Sequence, residues 1–196
     1  MKIIGITGGV GAGKSAILSY LQNTYHAEVL LADVAANELK MPGQPCYQLL
    51  IELLGEQILA EDGSIDNKKM AEAMFGSEEK RVAVGGILHP AVREVILQRI
   101  READRAGTAF FFLEAALLIE EHYDEVVDEM WYIYTCDDVR RKRLRESRGY
   151  SDEKITAIMN SQLAEADFRA ACDFVIDNSN TFEETKRQID RKMGEM

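Results

Sequence analysis

Apolar positions along the chain follow two different periods. Five short stretches are nearly continuous in apolar residues: Lys2–Thr7 (KIIGIT), Glu28–Ala32 (EVLLA), Ala109–Glu114 (AFFFLE), Glu129–Thr135 (EMWYIYT) and Asp173–Asp177 (DFVID). Such runs, rich in β-branched and aromatic residues, predict strands covered on both faces. Elsewhere apolar residues recur every three or four positions, as on a helix with one covered side. Ser15–Thr24 is the first such stretch; Ile155, Ile158, Met159, Gln162 and Ala166 trace another face. Gln162 is the polar exception there; it would either serve the site or cap a buried carbonyl, the second being the simpler reading. Trp131 and Tyr132, inside a strand pattern, read as packing residues. Strands alternating with helices predict an α/β fold with a parallel sheet.

One interval breaks the alternation. About 75 residues separate the second and third strands, too many for an ordinary crossover. Cys46–Leu54, Lys68–Phe75 and Glu78–Ala103 carry helical spacing there, and Pro90 should break or kink the last of them. The expected organisation is an α/β core of residues 1–35 and 108–196, with residues 36–107 as a helical insertion.

Composition narrows the function classes. The 196 residues carry 23 Lys and Arg against 34 Asp and Glu, a net charge of −11. That excludes a broadly basic nucleic-acid surface and a polybasic membrane anchor. No apolar run approaches the ~20 residues that span a bilayer. Cys46, Cys136 and Cys172 form no CxxC pair, and His26, His89 and His122 show no metal-ligand spacing. The expectation is a soluble cytoplasmic protein with reduced thiols and no nucleic-acid or membrane partner; the oligomeric state is not written in the sequence, with a monomer favoured.

The chemistry is carried by Gly8, Gly9, Val10, Gly11, Ala12, Gly13, Lys14 and Ser15, which match G-x-x-x-x-G-K-[ST] directly after a strand and before a helix. Glycines let the backbone curl until successive N–H groups point inward as an anion nest. The helix that follows, through Ser15 and Ala16, presents its positive end to phosphates. Lys14 would reach the β- and γ-phosphates, and the Ser15 hydroxyl would hold Mg²⁺. The pattern therefore predicts ATP or GTP binding. Asn67-Lys68-Lys69-Met70 lacks the Asp of a guanine-reading motif, Asp104–Gly107 falls at a helix end, and the third strand ends in Glu114 rather than Asp. These features favour a small kinase over a GTPase or motor.

Phosphoryl transfer to a hydroxyl needs a group to orient or deprotonate the acceptor, and positive charge over the transferring phosphoryl. Asp33 follows the second strand, at the edge where parallel sheets place ligands. Residues 137–150 hold six bases and three acids, whereas residues 110–130 hold seven acids and no base. Arg143 and Arg148 are the candidates to touch phosphate, because Gly149 and Ser151-Asp152 mark a turn just beyond them. A segment of about 140–152 that folds over the triphosphate would also exclude water.

The chain resembles the dephospho-CoA kinase family. The likeness runs through ITGGVGAGKS (Ile6–Ser15), Ala32-Asp33, Pro42-Gly43, Leu88-His89-Pro90, EAALLIE (Glu114–Glu120), Arg143-Leu144, Arg148, Gln162 and DFVIDN (Asp173–Asn178). It implies a P-loop core of nucleoside-monophosphate-kinase type, with a five-stranded parallel sheet, a helical CoA-binding region and a lid. It implies transfer from ATP to the ribose 3′-hydroxyl of dephospho-CoA, with Asp33 as the base or orienting carboxylate, His89 and Pro90 in the acceptor region, and Asn178 near the adenine. Leu31, Asn37, Ala116 and Gly149 depart from the family, which often has an acid, Arg, Pro and Asp at those places. Loss of the Arg at 37 leaves one acceptor phosphate or ribose contact without a residue. A kinase for another hydroxyl and a nucleotide switch without acceptor chemistry are the alternatives at this level.

Overall fold

The computed structural model describes residues 1–196. Five strands form one sheet: β1 (Lys2–Thr7), β2 (Glu28–Leu31), β3 (Phe110–Glu114), β4 (Glu129–Tyr134) and β5 (Phe174–Asp177), in the order β2-β3-β1-β4-β5. β1 runs parallel to β3 and β4, with Ile4 opposite Phe112 and Glu129, and β4 runs parallel to β5. The order places β1 in the middle, where both of its faces are covered: Ile4 and Ile6 on one face are fully buried, and Thr7 on the other is buried as well. The five predicted strands thus appear within a residue or two of their expected limits.

The backbone groups into two compact units, residues 1–29 with 103–196, and residues 30–102. In the first, α1 (Lys14–Tyr25), α6 (Asp137–Arg148), α7 (Asp152–Asn160), α8 (Glu165–Ala171) and α9 (Phe182–Gly194) accompany the sheet. Its core contains Phe111, Phe112, Leu113, Trp131 and Ile133. Trp131 has no exposed surface and meets Phe112 and Phe174 edge to face at 5.5 and 5.4 Å. Tyr132 stacks on Phe168 of α8 at 4.8 Å. The packing reading of both β4 aromatics holds. Glu129 accepts from the Trp131 indole at 3.1 Å and pairs with Lys192 of α9 at 2.5 Å, tying the last helix to β4. The start of α9 is set by a capping box in which Thr181 and Glu184 satisfy each other's backbone N–H groups.

The second unit is helical: α2 (Ala32–Leu39), α3 (Pro45–Leu54), α4 (Asn67–Met74) and most of α5 (Glu78–Arg105). Pro45 opens α3, where its missing N–H costs nothing, and Asp66 caps α4 through the N–H groups of Lys68 and Lys69. Cys46, Leu50, Leu54, Ile58, Met70, Val84 and Ile96 supply buried apolar surface. Of the break or kink expected at Pro90, the break does not occur: α5 continues through it for 28 residues. A proline ring clashes with the carbonyl four residues earlier, and that residue is Gly86, whose backbone gives way more readily than any other. Asp104 and Gly107 prove to be a helix end, with Gly107 at φ 76° donating to the Asp104 carbonyl.

Candidate active site

The Gly8–Gly13 loop leaves the end of the central strand and turns directly into α1. Gly13 is left-handed, at φ 92° and ψ 22°, and no side chain caps the first turn of α1. The N–H groups of that turn therefore carry the positive end of the helix dipole with no side-chain acceptor. Ser15 and Ala16 are exposed at this mouth. The Lys14 ammonium folds back over the loop, donating to the Gly8 carbonyl at 2.7 Å and standing 3.5 Å from the Glu114 carboxylate at the end of β3. It stands between these two oxygen partners.

The outer side of the loop is held by residues far away in sequence. Three donors converge on the Ala12 carbonyl: the Thr135 hydroxyl at 2.9 Å, the Asn178 amide at 2.8 Å and the Arg143 guanidinium at 3.2 Å. Arg143 also donates to the Asn178 carbonyl at 2.9 Å, and the Thr185 hydroxyl donates to Asn178 Oδ1 at 2.8 Å. On the neighbouring turn Gln162 Oε1 accepts from the Val10 N–H at 3.1 Å and from Arg140 at 2.8 Å, while Arg140 Nε donates to the Val10 carbonyl at 3.1 Å. With the Ala12 and Val10 carbonyls and the Val10 N–H occupied in this way, and the Ala12 N–H donated to the Gly9 carbonyl at 3.1 Å, the loop is held in one curl. This closeness explains two glycines. A Cβ on Gly13 would strike the Asn178 amide, and one on Gly9 would strike the Arg140 guanidinium.

Gln162 therefore touches the loop itself, and it accepts an N–H rather than capping a buried carbonyl. Asn178 is buried, and its side chain is spent on Ala12 and Thr185. Arg143 faces loop carbonyls, whereas Arg148, at the end of α6 before the left-handed Gly149, is exposed, with its guanidinium 6.0 Å from the centre of the Tyr150 ring. Thr135 and Arg140 went unassigned in the sequence. A threonine ending a strand and one arginine among six bases carry no local sign of what they meet across 123 and 130 residues.

In the second unit Asp33 is exposed in the first turn of α2. His89 and Pro90 are also exposed and line an open groove of about 540 Å³ along α5, with Glu78, Arg81, Val82, Gly85 and Gly86.

Comparison with known proteins decides the family. The dephospho-CoA kinase family model matches residues 2–184. The chain belongs to the dephospho-CoA kinase family. A dephospho-CoA kinase of Carboxydothermus hydrogenoformans is 36% identical over 189 residues, covering 96% of this chain and 91% of that one. One from Listeria monocytogenes is 33% identical over 188 residues, covering 96% and 94%. Among solved structures, the Thermus thermophilus protein TT1252 superposes with a TM-score of 0.85 at 26% identity, over 100% of this chain and 97% of that one. The fold is that of a P-loop kinase, as the resemblance in the motifs implied. No helix is long and apolar enough to cross a membrane.

Proposed function

We propose that the protein transfers the γ-phosphoryl group of ATP to the 3′-hydroxyl on the ribose of dephospho-CoA, giving coenzyme A and ADP. The observation that carries this reading is the braced Gly8–Lys14 loop at the uncapped start of α1, in a chain that matches the family along nearly its whole length. The backbone N–H groups of Gly11, Gly13, Lys14 and Ser15 cradle the phosphates, while those of Ala12 and Ala16 are held by the Gly9 and Gly13 carbonyls. Lys14 exchanges the Gly8 carbonyl for β- and γ-phosphate oxygens, where charge grows in the transition state.

Asp33 orients the acceptor hydroxyl and takes its proton as the oxygen–phosphorus bond forms; the β–γ bond breaks and leaves ADP. Arg148, exposed and free of any carboxylate partner, is the arginine of the 140–152 segment best able to swing onto the transferred group, while Arg143 and Arg140 keep the cradle rigid. The Ser15 hydroxyl is a hard oxygen donor exposed at the mouth of the cradle, and this suits Mg²⁺, which takes one or two protein oxygens together with substrate phosphates. When bound, the ion neutralises phosphate charge as it develops. Residues 36–107, with His89 and Pro90, form the acceptor-binding part in this reading, and Asn178 supports the loop that holds the nucleotide.

The position of transfer is tested by ³¹P NMR of dephospho-CoA incubated with ATP, Mg²⁺ and the protein. A new phosphomonoester resonance, coupled to the ribose 3′-proton and formed in step with ADP, is the expected result. Loss of ATP with no new monoester would refute the reading.

A further inference from the structure

Lys40, at the end of α2, is only 9% exposed. Lysines are almost never buried to this degree without a partner of opposite charge. Here the ammonium donates to the side-chain oxygen of Asn67 at 2.7 Å, a neutral acceptor, and no carboxylate lies within ion-pairing distance of it. Asn67 in turn donates to Asn37 at 3.3 Å. Burial pushes Lys40 below the usual lysine value, and the Asp33 carboxylate on the same helix pulls the other way. Asp33, Asn37 and Lys40 are spaced i, i+4 and i+7 along α2, so they share one face. A lysine ammonium has three donors, and one is spent. What remains is a nearly buried, half-satisfied cation within the electrostatic reach of the residue that handles the acceptor hydroxyl. Such a group costs stability in the free protein and recovers it when an anion arrives.

We propose that Lys40, braced by Asn67, binds a phosphate of the acceptor's diphosphate and so fixes the acceptor beside Asp33. The inference rests on the reading of the acceptor as dephospho-CoA. Position 37 lies one helical turn from Lys40 on the same face, so a cation at either position serves the same ligand.

The test is calorimetric titration of dephospho-CoA into the full chain with ADP and Mg²⁺, repeated with adenosine, which lacks the diphosphate. Lys40→Met is expected to weaken dephospho-CoA binding by about tenfold or more, the scale of a lost hydrogen bond to a charged group. Binding of adenosine and the KM for ATP stay unchanged, and Tm does not fall. Lys40→Arg, and Asn37→Arg added to Lys40→Met, restore most of the affinity. Unchanged dephospho-CoA affinity in Lys40→Met overturns the inference alone. So does an equal loss for both ligands together with a lowered Tm, which is the result of a purely structural lysine. Failure of the unaltered protein to bind dephospho-CoA overturns the reading of the acceptor and the inference with it.

Discussion

Single residues in this protein are chosen for what they can exchange. Lys14 holds the Gly8 carbonyl and lies beside Glu114, both oxygen partners, and in the proposed mechanism a phosphate replaces like with like. Lys14→Met is therefore expected to fold normally and to lower kcat about 10²–10³-fold, the usual cost of one preorganised charge donor. Steady-state kinetics with ATP and dephospho-CoA check this, and a variant within a few-fold of the unaltered kcat would count against the role. Other residues are inert by the same logic. Burial, with a smaller contribution from Asp173, pushes the Cys172 thiol up to about 12, and burial raises Cys46 as well. Neither has thiolate character near neutrality, in keeping with packed, reduced thiols.

At the level of elements, the loop between β1 and α1 works because distant elements grip it from outside. β4 contributes Thr135 just past its end, α6 contributes Arg140 and Arg143, and Asn178 follows β5. Gly13→Ala should release that grip. The alanine would be forced into the left-handed region at φ 92° and into the Asn178 amide at once. The backbone term alone is about 1–2 kcal/mol, or roughly 2–8 °C in Tm for a domain of this size. Nucleotide binding is expected to fall further than stability, and thermal melts with and without ATP separate the two. A variant that ATP still stabilises as strongly as the unaltered protein contradicts the account.

Elements also show how far the sequence could be read. The strands were legible because uninterrupted runs such as FFFLE have no other way to bury every residue, and the loop because its motif is local. Pro90 does not end its helix, and whether a proline does so depends on the residue a helical turn earlier, here Gly86. Gln162 was marked as a polar exception but its partner was not, and Thr135 stayed hidden, because Val10 and Ala12 lie 152 and 123 residues away. Periodicity marks a polar residue on an apolar face but cannot name the atom it will meet.

Over the whole molecule, the −11 charge and a polyanionic substrate are compatible because charge is sorted along the chain. Seven acids and no base fall within residues 110–130, while residues 137–150 carry a net +3 in and beside α6, whose arginines hold the phosphate loop. Net charge speaks for solubility, and local placement speaks for chemistry. The central claim joins this sorted site to one acceptor. Its most direct test is ADP release followed by a coupled assay, with ATP and Mg²⁺ held fixed and dephospho-CoA added or withheld, for the unaltered protein and for Asp33→Asn. The account predicts saturable release that requires dephospho-CoA and falls about 10²–10⁴-fold in Asp33→Asn, the range for a lost general base. Release that ignores dephospho-CoA, or that survives Asp33→Asn unchanged, would contradict it.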